Sequence, residues 1–195
     1  MNHCSNCSFI ILAGGKSSRY GSAKYELRYG NQTFLQALVT KSIRLSFGET
    51  IISGLTKEQV PTLDGENLIF HLDELPNRGP LGGLATCLQQ ASYPTAFVIT
   101  VDCPSIPEEL IRSVVTTHLS NDYDATLLQR GNSVEPLIGM YNCDFHHHIT
   151  PLITEHSAPV FRALDSISYY SMAHDFHVQN INTPHDYHTL ASPLD

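Results

Sequence analysis

Residues 12–24 read Leu-Ala-Gly-Gly-Lys-Ser-Ser-Arg-Tyr-Gly-Ser-Ala-Lys and follow the apolar run Phe9-Ile10-Ile11-Leu12. The run has the length of one buried strand and is too short for most helices. The segment after it has no amphipathic face. It carries three glycines (Gly14, Gly15, Gly21), two small hydroxyl residues (Ser17, Ser18) and three cations (Lys16, Arg19, Lys24). Glycine lets a backbone turn with positive φ and approach a ligand closely. Successive N–H groups in such a turn form a hollow for anions, which fixed cations reinforce. Open α/β sheets place ligands beside a loop of this kind, at the carboxyl end of the first strand. The stretch therefore reads as a phosphate site on an α/β sheet.

Spacing excludes two other phosphate motifs. A P-loop ending at Lys16-Ser17 needs glycine at position 10, where Ile10 stands. The dinucleotide fingerprint fails because Gly14 and Gly15 are adjacent and Gly21 lies too far on. Charge argues against an ordinary surface turn. The formal net charge is −8, from 11 basic and 19 acidic residues, yet Lys16, Arg19, Lys24 and Arg28 fall within residues 16–28 beside one acid, Glu26. An acidic chain that concentrates its cations in a glycine loop binds an anion there.

The 195 residues, 42% of them hydrophobic, suffice for one substantial core, and we expect a single domain over 1–195. Acidic composition argues against nucleic acid as a partner. No apolar stretch approaches a membrane span, and the short N-terminal run has no basic flank, so neither membrane insertion nor a signal peptide is expected, and the location is cytoplasmic. The five cysteines are dispersed. Cys4 and Cys7 form a C-x-x-C without a second pair, which favours a structural reading over a zinc or redox site. His146, His147 and His148 are consecutive, so on a helix they point in three directions and read as a solvated face.

Along the chain we expect a helix over 33–46, a strand over 49–53 and another over 67–72. A helix follows from Gly79 to about Ala91, then a central strand over 95–101. Pro107 is placed at the first position of a helix reaching Leu119. Strands over 124–129 and 136–141 flank a turn at Arg130-Gly131-Asn132-Ser133. Helices near 142–154 and 157–165, a strand near 167–171 and a short helix from Pro184 complete the chain. Alternating strands and helices give an α/β, three-layer, Rossmann-like fold, its sheet mostly parallel with helices on both faces.

Asp102 ends the central strand and should project into the crevice that the glycine loop faces. A carboxylate there suits Mg²⁺, which uses one or two carboxylates plus substrate phosphates. It could alternatively cap the following helix. With the loop present the metal role is favoured. Asp73 is either a ribose or metal contact or a loop solvator. Glu135 either points into the crevice or faces water.

Five segments together resemble a known family. They are Leu12-Ala-Gly-Gly-Lys-Ser-Ser-Arg with Gly21 and Lys24, Gly79-Pro-Leu-Gly-Gly-Leu84, Asp102-Cys-Pro-Ser-Ile-Pro107, Glu135-Pro-Leu137, and Asn180-Ile-Asn-Thr-Pro184. In this order they resemble the molybdenum cofactor guanylyltransferases, the MobA-like nucleotidyltransferases. The resemblance spans residues 8 to about 190, with a nucleotide-binding part at about 8–105 and an acceptor-binding part at about 106–190. It implies transfer of GMP from GTP to the terminal phosphate of molybdopterin, with release of pyrophosphate and Mg²⁺ as cofactor. It implies catalytic roles for Arg19, Lys24 and Asp102, and Asp102 as the metal ligand. Nucleotide contacts fall to Leu12, Ala13, Gly14, Gly15, Lys24, Ser53, Asp73 and Asp102, and acceptor contacts to Gly82, Asn180 and Asn182. Partners would include molybdenum-cofactor delivery proteins or molybdoenzymes.

The chain departs from the family in three places. Tyr20 stands where the family has Met, Ala23 where it often has Asp, and Ser53 where it often has Asn. A serine hydroxyl lacks the paired donor and acceptor of an amide, which opens the base preference. The alternatives are therefore a cytidylyltransferase, a nucleotidyltransferase for another phosphorylated acceptor, and a non-catalytic nucleotide- or cofactor-binding protein.

Overall fold

The protein is described by a computed structural model covering residues 3–14, 23–65, 67–72, 79–153, 160–176 and 178–190. Strand β1 (Ser8–Leu12) leads through a small hairpin, β2 (Arg28–Tyr29) and β3 (Gln32–Thr33), into helix α1 (Phe34–Arg44). Then come β4 (Glu49–Ser53), β5 (Leu68–His71), α2 (Pro80–Gln90), β6 (Thr95–Thr100) and α3 (Glu108–Leu119). The second half holds β7 (Ala125–Arg130), β8 (Ser133–Asn142), α4 (His146–Ile153), α5 (Val160–Leu164), β9 (Tyr169–Ala173) and α6 (Pro184–Thr189).

Seven strands form one sheet in the order β5-β4-β1-β6-β8-β7-β9. Every neighbouring pair is parallel except the two that β8 makes, with β6 and β7. The sheet carries two cores because side chains alternate along each strand. Phe9, Ile11, Phe97 and Ile99 pack on one face with Leu35 and Leu38 of α1 and Ile111, Val114 and Val115 of α3. Ile10, Leu12 and Val98 pack on the other with Leu84 and Leu88 of α2, Ile149 of α4 and Leu164 of α5. The outcome is the expected three-layer α/β arrangement with a mostly parallel sheet.

The helix starts follow local chemistry. Thr33 caps α1, its hydroxyl accepting from the Gln36 N–H while the Gln36 side chain accepts from the Thr33 N–H. The expected start at Thr33 is thus the cap, with helical residues from Phe34. Pro107 is likewise the residue before α3 rather than its first turn, and its extended backbone (ψ 140°) accounts for the difference. The strand expected over 67–72 spans only Leu68–His71, two residues short of Asp73. The strand expected from 136 begins at Ser133, and β9 begins two residues later than expected. The segment expected as a helix over 142–154 opens with a 3-10 turn, Cys143–Phe145, before α4.

Cys4 and Cys7 are buried thiols in the core that α3 covers, and the Thr95 hydroxyl donates to Cys7 Sγ at 3.3 Å, in keeping with a structural role. His147 and His148 are exposed and His146 is half-buried, its Nδ1 lying 2.9 Å from the Cys143 carbonyl oxygen.

Candidate active site

Parallel strands align their carboxyl ends, so Leu12, Ser53, His71, Thr100, Arg130 and Ala173 finish along one edge of the sheet. The chain leaving β1 is held against β4 there. The Ala13 N–H donates to the Ser53 carbonyl (3.1 Å), and the Gly54 N–H donates to the His71 carbonyl (2.7 Å). Gly54 has φ +82°, and a Cβ on it would lie 2.3 Å from the Gly14 Cα. Only glycine fits both the left-handed backbone and that approach. Leu12, Ala13 and Ser53 are buried, whereas Gly14 is exposed where the glycine loop departs. Gly15 and Arg19 in that loop, and Asp73, lie outside the described residues.

Beyond β6, Asp102 meets residues far away in sequence. Lys24 Nζ lies 3.1 Å from Asp102 Oδ2, and it donates to Asn182 Oδ1 at 2.8 Å. These partners are 78 and 158 residues from Lys24. The other Asp102 oxygen accepts from the Thr100 hydroxyl at 2.5 Å, a short charge-assisted bond. The backbone closes the same junction, with the Ile181 N–H donating to the Asp102 carbonyl at 2.9 Å. The Lys24 and Asp102 side chains are 21% and 17% exposed, so water reaches the pair without flooding it.

A second set of contacts adjoins the first. Cys103 is fully buried and its thiol donates to Asn180 Oδ1 at 2.7 Å. Burial, and next the Asp102 charge, push its pKa well above the ordinary thiol value, so the group stays protonated and able to donate. The same Asn180 oxygen accepts from the Arg130 guanidinium at 3.1 Å. Arg130 also donates to the Val178 carbonyl (2.9 Å) and pairs with Glu135 at 3.4 Å. Glu135 is thus held by Arg130, one residue removed from Asn180.

The structure therefore brings together Lys24, Asp102, Asn180 and Asn182 of the residues singled out from sequence, with Leu12, Ala13, Gly14 and Ser53 along the neighbouring strand ends. Gly82 is buried in the first turn of α2. Thr100, Cys103 and Arg130 were missed. Cys103 sits inside a quoted segment, so its neighbourhood to Asp102 was visible, but no spacing rule links it to Asn180. Arg130 was expected in a turn over 130–133 but is the last residue of β7, paired with Ser133, and it carries no motif.

The arrangement presents a carboxylate, an ammonium and two amides on one edge of the sheet. A single carboxylate with a neighbouring cation suits metal-assisted chemistry on phosphates better than a self-sufficient metal centre. Among the described residues no cluster of three or more His, Cys, Asp or Glu side chains is placed to hold a metal.

Residues 9–167 match the family described as the MobA-like NTP transferase domain. A probable molybdenum cofactor guanylyltransferase of Carboxydothermus hydrogenoformans is 30% identical over 95% of each chain. One of Bacillus mycoides is 26% identical over 94% of each. Among solved structures, the molybdopterin-guanine dinucleotide biosynthesis protein A of Archaeoglobus fulgidus superposes with a TM-score of 0.76 at 18% identity, covering 93% of this chain and 95% of that one. That likeness concerns the fold.

Proposed function

The chain belongs to the MobA-like NTP transferase family, and on that premise we propose that it transfers GMP from GTP to the terminal phosphate of molybdopterin, releasing pyrophosphate. The observation that carries the proposal is the meeting of Lys24 with Asp102 and Asn182 at the carboxyl edge of the sheet. It joins a cation from the glycine-loop segment, an acid from the central strand and an amide from the C-terminal segment.

The acceptor phosphate is already an anionic nucleophile, so little proton transfer is asked of the protein. Catalysis then rests on alignment and on charge neutralisation. Asp102 fits Mg²⁺ as a hard oxygen donor, and nucleotide phosphates and water would complete the coordination. When bound, the ion neutralises charge on the α-phosphate and on the departing pyrophosphate. Thr100 holds one Asp102 oxygen, which fixes the carboxylate's rotation. Lys24 exchanges its bond to Asp102 for the nucleotide phosphates, assisted by Arg19 from the loop. Asn182 accepts from Lys24 through Oδ1, which leaves its NH₂ as the donor toward the anionic acceptor. Ser53 and Gly14 line the nucleotide's path beside β1 and β4. The reaction is placed in the cytoplasm, with a delivery protein or molybdoenzyme receiving the product. Among the described residues no helix is long and apolar enough to cross a membrane.

The test is Asp102→Asn in a transfer assay with Mg²⁺. Turnover should fall by roughly 10²–10³, equivalent to about 3–4 kcal/mol of transition-state stabilisation, while the melting temperature stays near that of wild type. Wild-type turnover by a folded Asp102→Asn protein removes the proposed mechanism.

A further inference from the structure

Helix α6 (Pro184–Thr189) is six residues long and buries no side chain fully. A helix this short is not stable by itself in water, and core packing does little to hold it. Its contacts point instead to the junction of Lys24 with Asp102 and Asn182.

Asn182 is held from both flanks. On its amino side the fully buried Ile181 donates its N–H to the Asp102 carbonyl at 2.9 Å. On its carboxyl side α6 begins at once. Asp186 Oδ2 accepts from the Asn182 N–H (2.9 Å) and the Thr183 N–H (2.7 Å). The Thr183 hydroxyl accepts in return from the Asp186 N–H at 3.2 Å, a reciprocal cap. One carboxylate oxygen thus fixes the backbone from which Asn182 Oδ1 meets Lys24 Nζ. Gln179 secures the helix further, its NH₂ donating to the Asp186 carbonyl (3.2 Å) and the Thr189 hydroxyl (3.0 Å).

The next residue of α6 reaches the segment that carries Lys24. The Tyr187 hydroxyl accepts from the Arg28 N–H at 3.2 Å, and its ring meets Phe34 edge-on with centroids 5.9 Å apart. Between Lys24 and Arg28 runs one tight turn, closed by the Leu27 N–H donating to the Lys24 carbonyl at 3.1 Å. A hold on Arg28 is therefore a hold on Lys24. Residues 182–187 and 24–28 are joined twice, at Lys24–Asn182 and at Arg28–Tyr187. A single link would let the Lys24 segment pivot, whereas two fix its direction. The Arg28–Tyr187 bond is exposed, so its worth to overall stability is small.

We propose that α6 is a two-point clamp for Lys24, with Asp186 and Tyr187 as positioning residues: Asp186 fixes Asn182, and Tyr187 fixes the turn from which Lys24 extends. The proposal rests on the reading of Lys24 as a cation for the nucleotide phosphates. When phosphates draw the ammonium from Asp102, the bond to Asn182 limits how far it travels, and the hold on Arg28 keeps its stem in place. Both residues act through others and not on substrate.

The experiment is a mutant cycle on the full chain. Tyr187→Phe removes the hydroxyl and keeps the ring against Phe34. Asp186→Ala removes the acceptor of both N–H groups, and Asp186→Asn returns one amide oxygen to them. Each is made alone and together with Lys24→Met. The readouts are kcat for GMP transfer at saturating GTP and molybdopterin, and calorimetric affinity for inorganic pyrophosphate with Mg²⁺. Tyr187→Phe and Asp186→Ala should each lower kcat about tenfold. They should weaken pyrophosphate binding about fivefold, and Asp186→Asn should restore both quantities. Tyr187→Phe should melt within about 2 °C of wild type. In the Lys24→Met background neither substitution should cost anything more, because the residue they position is gone. Equal losses with and without Lys24 would mark α6 as merely structural and overturn the proposal. Wild-type kcat and pyrophosphate affinity in both variants, or no pyrophosphate binding by the wild type, overturns it as well. Pyrophosphate binding that follows the expected pattern without any GMP transfer supports the clamp and refutes the guanylyltransferase reading instead.

Discussion

Glu49 is a buried carboxylate far from the candidate site, and its removal is a sharp test of how the sheet is held. It opens β4 opposite Ser8 of β1 and is 5% exposed. Its Oε1 accepts from the Ser8 hydroxyl (2.6 Å) and the Ser92 N–H (2.7 Å), and its Oε2 from the Ser92 hydroxyl (2.7 Å). The carboxylate thus ties β1, β4 and the α2–β6 connection together at the amino edge. Glu49→Met preserves length and removes both acceptor oxygens, and with them all three bonds. Ser8 is fully buried, so its hydroxyl loses its charged acceptor without water to replace it, a cost of about 1–3 kcal/mol. Ser92 is exposed and rehydrates, so its two bonds count for less, about 0.5–1 kcal/mol each. The sum is about 3 kcal/mol, or roughly 6–12 °C in melting temperature for a chain of this size. Glu49→Gln keeps one acceptor oxygen and should lose about half as much. Differential scanning calorimetry at neutral pH measures both. A Glu49→Met protein melting within about 2 °C of wild type would refute the reasoning, because the three bonds would then carry no net stability.

Three further outcomes follow from single residues. His118 is buried, with Nδ1 3.2 Å from the Thr126 hydroxyl and Nε2 3.1 Å from Asn142 Oδ1. Burial lowers its pKa against smaller upward pulls from Asn142 and Asp124. The unfolded chain therefore binds the extra proton more readily, so this residue's share of stability is full above about pH 6.5 and is lost as pH falls below it. Urea titrations between pH 5 and 8 should show that slope flattened in His118→Gln, and an unchanged slope contradicts it. Cys103→Ala deletes the donor to Asn180 and should raise the acceptor KM about fivefold, with Cys103→Ser restoring it and the GTP KM constant throughout. Identical acceptor KM values for wild type and both variants count against that role. Gly54→Ala places a methyl 2.3 Å from Gly14 Cα in a left-handed backbone, so it should lower the melting temperature and raise the GTP KM. Wild-type values for both would show that the β1–β4 approach is not required.

The sequence was most legible where burial and periodicity coincide. β1 and β6 are short, largely apolar runs and β4 is a short β-branched one around Ile51 and Ile52, and the positions of all three agree with the structure to within a residue. The β2–β3 hairpin was not visible because two residues per strand give no alternation to read. β8 extends further than its pattern suggested. Pairing jumps from Leu127–Gly139 to Leu128–Glu135, so Pro136 lies in an irregular stretch where it costs no ladder bond. In the candidate site, Lys24, Asp102, Asn180 and Asn182 were legible through motif order. Their mutual distances were not, since contacts across 78 and 158 residues depend on how the sheet orders its strands. The partners Thr100, Cys103 and Arg130 carry ordinary structural residue types, and only the fold gives them a role.

The most direct test of the central claim is pyrophosphate release from GTP, CTP, ATP and UTP, each with Mg²⁺ and with molybdopterin present or absent. The account predicts release from GTP that requires molybdopterin, together with formation of the guanine dinucleotide. Release from CTP instead, or no release from any nucleotide by folded protein with active acceptor, would contradict it.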